Sequence, residues 1–245
     1  MCGRFTMTDE QLEPLARDLG VPVESLPHTR PRFNIAPTDE HYIVRVKAEQ
    51  ADLLNARWGL VNSWAKDNKR AAQQINARAE TLASKPGFRQ AFRERRCIVP
   101  ADGFYEWSGP KENRQPLWFH RPEGGLVYFA GLYESWRAQP GEWQRTFTIV
   151  TTDANELLAH YHDRMPVILS PDAAYEWMDP KNTDTDRLQR LLLPAAAGVL
   201  VARPVSNRVN NVRYDHPDAI SEEARLPAGG QPSPTRQPLR PRHGA

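Results

Sequence analysis

At 245 residues, 40% of them hydrophobic and 25% charged, the chain is long enough to bury a core of its own, which excludes a stapled miniprotein or a disordered polymer. A formal net charge of only +2 excludes a global polycation, so any affinity for nucleic acid has to come from a local patch. Two cysteines, Cys2 and Cys97, are too few for a disulfide framework or a four-thiolate metal site, and point to a reducing, cytoplasmic setting. No run approaches the roughly 18 apolar residues of a membrane span, and no basic segment followed by an apolar one opens the chain.

TDEQLEPLARDLG predicts a helix, with Thr8 and Gln11 spaced as a capping box, Leu12, Leu15 and Leu19 on one face and Gly20 as the stop. Pro14 sits near its start, where a proline is tolerated. Residues 28–38, with two prolines in RPRFNIAPT, read as an ordered loop. HYIVRVKA and LLNARWGLV then alternate like strands, and Pro86 with Phe88 and Phe92 marks a short helix. Strand-like segments follow: CIVPADGFYEW, PLWFH, LVYFAGLYESW, FTIVTT, PVILS and GVLVARPV. Short helices are expected at DANELLAHY, PDAAYEWM and TDRLQRLLL. Strands that dominate without regular helical alternation predict an α+β single domain around a largely antiparallel, curved, barrel-like sheet with peripheral helices. The folded unit is expected over 2–218, and 219–245, rich in Pro, Gly and Arg from about Ala224, reads as a disordered basic tail.

MCGRF raises the first chemical question. An isolated cysteine at position 2 suits a ragged terminus, but removal of Met1 before a small residue would leave a free amine and a thiol on the same residue. A model amine titrates near 7.7 to 8.0 and a free thiol near 8.5, so either supplies nucleophile at neutral pH. Such an aminothiol can serve N-terminal nucleophile hydrolysis, or it can capture an aldehyde as a Schiff base that the sulfur closes into a thiazolidine. In INARAET, Asn76 is placed to position an amine, although an exposed polar strand or loop reads the same way. Glu106 in CIVPADGFYEW, between Tyr105 and Trp107, is a candidate for a raised pKa and acid or base work. His160 and His162 stand two apart, but with no matching ligand cluster a single acid/base histidine fits HDRMP better than a metal site. Trp58 and Trp64 in WGLVNSW, with the arginines of RQAFRERR, are the ingredients of base stacking and phosphate contact, and equally of a core and a solvated helix face.

MCGRF, RFNIAPT, RWGLVNSWAKD, INARAET, CIVPADGFYEW, HDRMPVIL and PVSNRVNNVR occur here in the order seen in the SRAP family, the SOS-response-associated peptidase or abasic-site-processing proteins, which the chain resembles from Cys2 to about Asp215. The resemblance implies a thiazolidine crosslink between Cys2 and the ring-opened aldehyde of an abasic site in single-stranded DNA. Asn76 would hold the amine, Glu106 would serve as the catalytic acid and His162 would donate to the sugar oxygen or shuttle a proton. Arg4, Asn34, Arg78 and Arg164 would contact phosphates or brace the pocket, and Trp58 and Trp64 would wedge or stack on bases. It also implies no metal or organic cofactor, and a monomer that associates with the nucleoid and with replication-fork proteins.

Three departures from the family pattern stand out. Asn62 replaces a usual proline and is expected to loosen its loop, His160 adds a second imidazole, and the basic tail lies beyond the motifs. Rival readings are a glutamine amidotransferase with a Met-Cys-Gly start, a true cysteine peptidase, with release of its own Met1 as the limiting case, and a noncovalent single-strand binder. Cys97 is expected to be buried and inert.

Overall fold

The computed structural model describes residues 2–8, 12–27, 29–110 and 112–223. In chain order the strands are β1 (Phe5–Met7), β2 (Arg32–Ile35), β3 (Glu40–Lys47), β4 (Gln50–Trp58), β5 (Asn76–Arg78), β6 (Arg96–Ala101), β7 (Gly103–Ser108), β8 (Gln115–His120), β9 (Val127–Gln139), β10 (Glu142–Asp153), β11 (Arg164–Pro166), β12 (Ile168–Leu169) and β13 (Val201–Pro204). The helices are α1 (Glu13–Leu19), α2 (Pro86–Glu94), α3 (Glu156–Ala159), α4 (Pro171–Met178) and α5 (Thr185–Gln189). None is long and apolar enough to cross a membrane.

Five strands close a barrel. β3 runs antiparallel to β4, β4 lies parallel to β10 through Arg57↔Thr146 and Trp58↔Phe147, β10 is antiparallel to β9, β9 to β6, and β6 returns to β3 at Val44↔Ile98. Closure leaves a barrel few unpaired edges and a dry interior. A second sheet, in the order β13-β8-β7-β1-β2, packs on the barrel. Its inward row is Phe5, Phe104 and Phe119, which stand opposite one another in register. Phe5 meets Trp58 at 5.0 Å and Phe129 at 6.3 Å between ring centroids, and Phe104 stacks on Phe119 at 5.3 Å. The α+β, largely antiparallel, barrel-like architecture read from the sequence is therefore the one observed.

Residues 28–38 depart from the expected loop: RFNI forms β2 and pairs with β1 at Phe5↔Ile35 and Met7↔Arg32. The prolines lie outside the paired segment, where they cost no ladder hydrogen bond. α1 begins later than expected, at Glu13, and ends on Gly20 in the left-handed conformation with φ 64°. Gln11 of the expected capping box and the tail from Ala224 onward lie outside the described residues. Past Asp218, Ala219 is buried and Glu222 bridges Val205, so the packed unit extends slightly beyond the expected boundary.

One buried cation joins the helices to the barrel. Arg96, at the start of β6, donates to the carbonyls of Phe92 and Arg93 at the end of α2 and of Trp177, Asp179 and Asn182 at and after the end of α4, at 2.5 to 2.8 Å. These include the carbonyls a helix terminus leaves without partners. Burial lowers its pKa to about 10, so the guanidinium stays charged at neutral pH. Cys97, next in sequence, is fully buried and burial pushes its thiol up, as expected of an inert residue.

Candidate functional site

Strand alternation places Glu106. Two residues along β7 from Phe104, it shares the inward face of the sheet and is 4% exposed, whereas Tyr105 and Trp107 lie on the sheet's other side, in a second apolar cluster with Trp118, Val205 and Val209. Its carboxyl is raised, but the expected flanking aromatics are not the cause. Burial against the barrel raises it first, opposed by the charge of the amino terminus and by His162.

Cys2 precedes β1 and is fully buried, with its thiol donating at 3.8 Å to the Arg4 carbonyl. Burial, then the charge of Glu106, pushes the thiol pKa up, so the sulfur rests as a thiol rather than a thiolate. Asn76 opens β5, which is held parallel to β10 at Ile149. Its Nδ2 donates to the Cys2 carbonyl at 2.8 Å, while its Oδ1 is buried with no hydrogen-bond partner among the described residues.

His162 follows α3 in a turn rather than a strand, so it does not share a face with His160, which is exposed. The His162 Nδ1 lies 2.9 Å from the Arg164 backbone nitrogen. Asp163 Oδ1 also lies 2.9 Å from Nδ1. Cys2 is thus coupled to Asn76 by a hydrogen bond and to Glu106 by charge, and Glu106 to His162, which gathers the four expected catalytic residues at one place.

The remaining candidates divide into braces and exposed groups. Asn34 is buried: its Nδ2 donates to the carbonyls of Val209, Asn211 and Tyr214, and its Oδ1 accepts from Arg4 at 2.8 Å. Arg4 also donates to Val209 and lies over the Trp107 ring at 5.9 Å. Arg164 is buried against Glu80, Asp153 at 2.7 Å and the Thr151 carbonyl at 2.6 Å, and it holds the Glu80 carboxyl below its ordinary range. Asn34 and Arg164 therefore brace the pocket in this structure rather than present donors to phosphate. Arg78 is exposed and forms no ion pair among the described residues.

The two tryptophans part company. Trp58 is fully buried, stacks on Phe147 at 6.3 Å and donates to the Ile75 carbonyl, which leaves it no face for a base; β4 turns it into the core, against Phe5 of the second sheet. Trp64 is 70% exposed in the loop that follows. That loop is tied down, contrary to the expected loosening: Asn62 donates to the Gly87 carbonyl at 3.3 Å and Trp136 Nε1 to that of Ala65 at 2.8 Å. Trp58→Ala is expected to cost about 3–5 kcal/mol in denaturant unfolding, and Trp64→Ala less than about 0.5 kcal/mol.

Sequence reading missed two features. Asp102 Oδ1 accepts from Thr6 Oγ1, and Oδ2 from the Thr8 N–H and hydroxyl, each at 2.5 Å, which fixes β1 a few residues from Cys2. The signal was an acid just before Gly103 with threonines alternating on β1, but their pairing crosses more than ninety residues. The second is a pair of clefts, of 590 and 520 Å³, that share Arg4 and Trp107; one reaches Pro37 and Arg213, the other Arg114 and Asn210.

Fold and site together define a β-barrel protein whose candidate centre is built on the second residue of its chain. The sequence matches the family described as SOS response associated peptidase (SRAP) over residues 1–212, and the chain belongs to that family. It is 43% identical over 225 residues to the abasic site processing protein YoqW of Bacillus subtilis, covering 90% of this chain and 99% of the relative. It is 31% identical to the abasic site processing protein YedK of Escherichia coli, covering 90% and 99%. A solved structure from Bordetella bronchiseptica is 26% identical with a TM-score of 0.68, covering 84% of this chain and 100% of that one. One from Bacteroides thetaiotaomicron, 24% identical with a TM-score of 0.78 over 91% of this chain and 100% of that one, shares the fold.

Proposed function

We propose that this chain senses abasic sites in single-stranded DNA by joining Cys2, freed of Met1, to the ring-opened sugar aldehyde as a thiazolidine. The observation that carries the reading is the hydrogen bond from Asn76 to the Cys2 carbonyl beside an Asn76 Oδ1 that has no partner among the described residues, with Glu106 in electrostatic reach. The names of the relatives support the substrate class.

The open Oδ1 is an acceptor suited to an amine N–H, and would orient the nitrogen lone pair toward the aldehyde carbon. Attack forms the C–N bond, and a nitrogen proton passes to the former carbonyl oxygen. Glu106, whose hold on a proton burial strengthens, gives a proton to that hydroxyl, which leaves as water and yields the iminium. The thiol then passes its proton to the Glu106 carboxylate as sulfur bonds to the same carbon and the C=N electrons return to nitrogen. The sum is one aldehyde and one aminothiol converted to one thiazolidine and one water, with the acid restored. His162, coupled by charge to Glu106, would donate to the sugar oxygen or shuttle a proton. The clefts beside Arg4 and Trp107 would take the flanking nucleotides, with Trp64 and Arg78 supplying stacking and charge.

Intact mass spectrometry tests the reading. The protein is expected to lack Met1 and to gain the mass of an oligonucleotide carrying one abasic site, less one water, as a heat-stable adduct absent from Cys2→Ala. Loss of Met1 with no adduct would instead direct attention to hydrolysis by the same thiol.

A further inference from the structure

One face of the β9–β10 hairpin carries an aromatic and two cations that the fold does not use. Register places Arg137 opposite Trp143, and Arg145, two residues further along β10, shares their face. All three are exposed, Trp143 by 60%, and neither arginine forms an ion pair among the described residues. The other face is taken up by packing: Trp136 is buried, and its Nε1 ties residues 63–70 to the hairpin through the Ala65 carbonyl at 2.8 Å. That loop brings the exposed Lys66, Lys69 and Arg70 alongside, since its Asn68 lines a cleft of 510 Å³ together with Trp143 and Arg145.

The acids nearby do not balance these cations. Of the two that line the cleft, Glu40 stands opposite Arg57 and accepts from Asn55 Nδ2 at 2.6 Å, and Glu142 stands at the hairpin tip, opposite Gln139. On the loop, Asp67 is matched by Lys69 at 3.7 Å. Arg137, Arg145, Lys66 and Arg70 are left against Glu142. Like charges gathered on one surface repel, and a polyanion relieves the repulsion. An indole set between two guanidinium groups gives a base a face to stack on while its phosphates meet the cations. An acidic peptide would meet the same cations and leave the indole exposed. The strand that carries this face also leads to the candidate centre: β10 pairs with Asn76 at Ile149, six residues beyond Trp143, about 20 Å at the rise of a β-strand.

We propose that this face of the β9–β10 hairpin is a second contact for single-stranded DNA. A base stacks on Trp143, and the phosphates on either side of it meet Arg137 and Arg145, with the cations of residues 66–70 beside them. The proposal rests on the reading of Cys2 as the centre for an abasic site only for where the strand comes from.

Fluorescence anisotropy of the Cys2→Ala protein, which cannot form the adduct, tests it with a labelled, undamaged 21-mer of thymidylate. Trp143→Ala is expected to raise Kd about tenfold, in the range of one lost base–aromatic stack. Replacing Arg137 and Arg145 together by Ala should raise it too, and should make the fall of log K with log salt shallower by about 1.4, the share of two phosphate contacts on a single strand. All three side chains are exposed, so unfolding temperatures should match. With Cys2 intact, the same variants should need more of a 21-mer with a central abasic site to reach half the maximal rate of adduct formation, with that maximum unchanged. A trinucleotide with a central abasic site, too short to reach the hairpin, should react alike with all of them. A Kd indifferent to Trp143→Ala and to the arginine pair would overturn the proposal, whether or not adducts form. Hairpin-dependent binding without any adduct would uphold it and count against the reading of Cys2 instead. Tighter binding of the acidic peptide Ac-(Glu-Ala)6-NH2 than of the oligonucleotide, lost in the same variants, would overturn it in favour of a protein partner.

Discussion

Glu106→Gln is expected to slow adduct formation at neutral pH by about 10²- to 10⁴-fold, the usual contribution of a positioned acid, and to raise the unfolding temperature. Both effects come from one burial. The carboxyl sits 4% exposed on the inward face of β7, and desolvation raises its pKa against the opposing charges of the amino terminus and His162. A carboxyl whose folded pKa lies above its unfolded value stabilises the fold fully below the unfolded pKa, and that contribution is lost as pH rises through the folded value. At neutral pH the wild-type protein therefore carries a cost that the glutamine variant lacks. The difference in Tm between the two should grow as pH is raised from about 4 and level off above the folded pKa of Glu106. The rate has the complementary shape. It falls on the alkaline side as Glu106 loses its proton, and on the acid side as the Cys2 amine gains one. Glutamine keeps the size and the hydrogen-bonding capacity of the site but has no proton to give, so a rate close to wild type would remove Glu106 from the mechanism.

Arg96→Met is expected to cost about 4 kcal/mol or more, because an unpaired buried carbonyl costs about 1–3 kcal/mol and this guanidinium serves five of them. In a domain of this size the loss lowers Tm by roughly 10 °C. Arg96→Lys recovers only part of it, since three donors on a point charge cannot reach the carbonyls that follow α2 and α4 together. The effect belongs to folding alone. Per folded molecule, the yield of the Cys2 adduct should match wild type, and a variant that folds normally but fails to react would show that Arg96 acts on the site.

Legibility in the sequence follows the range of the interactions. α4 spans the expected PDAAYEWM because its signals are local: Ser170 accepts from the Ala173 N–H and Pro171 occupies the first turn. The strands β6 to β10 are legible as runs of apolar, β-branched and aromatic residues bounded by turn-rich gaps. Barrel closure is not, since the parallel contact of β4 with β10 joins residues almost ninety apart through two pairs. Cys2, Asn76, Glu106 and His162 are each legible as candidates within their motifs, but their convergence follows from the family resemblance rather than from spacing. Trp58 shows what such a resemblance leaves open: a motif names a residue without saying which way its strand turns it. Glu106 shows the reverse, a correct direction of pKa shift for which the neighbouring aromatics are the wrong cause.

Cys2 runs directly into β1, which lies between β7 and β2 and is clamped by Asp102 through Thr6 and Thr8. The end that carries the proposed nucleophile is therefore woven into a sheet and has no slack with which to reach past an added segment. For a gene engineer the two ends of this protein are not equivalent. A purification tag or reporter placed upstream would lock the amine into a peptide bond unless a protease cut directly before Cys2, whereas additions after Ala245 leave it alone. The same asymmetry bears on gene fusion, where new modules joined at the carboxyl end can spare the aminothiol while those joined at the other end need a processing step first.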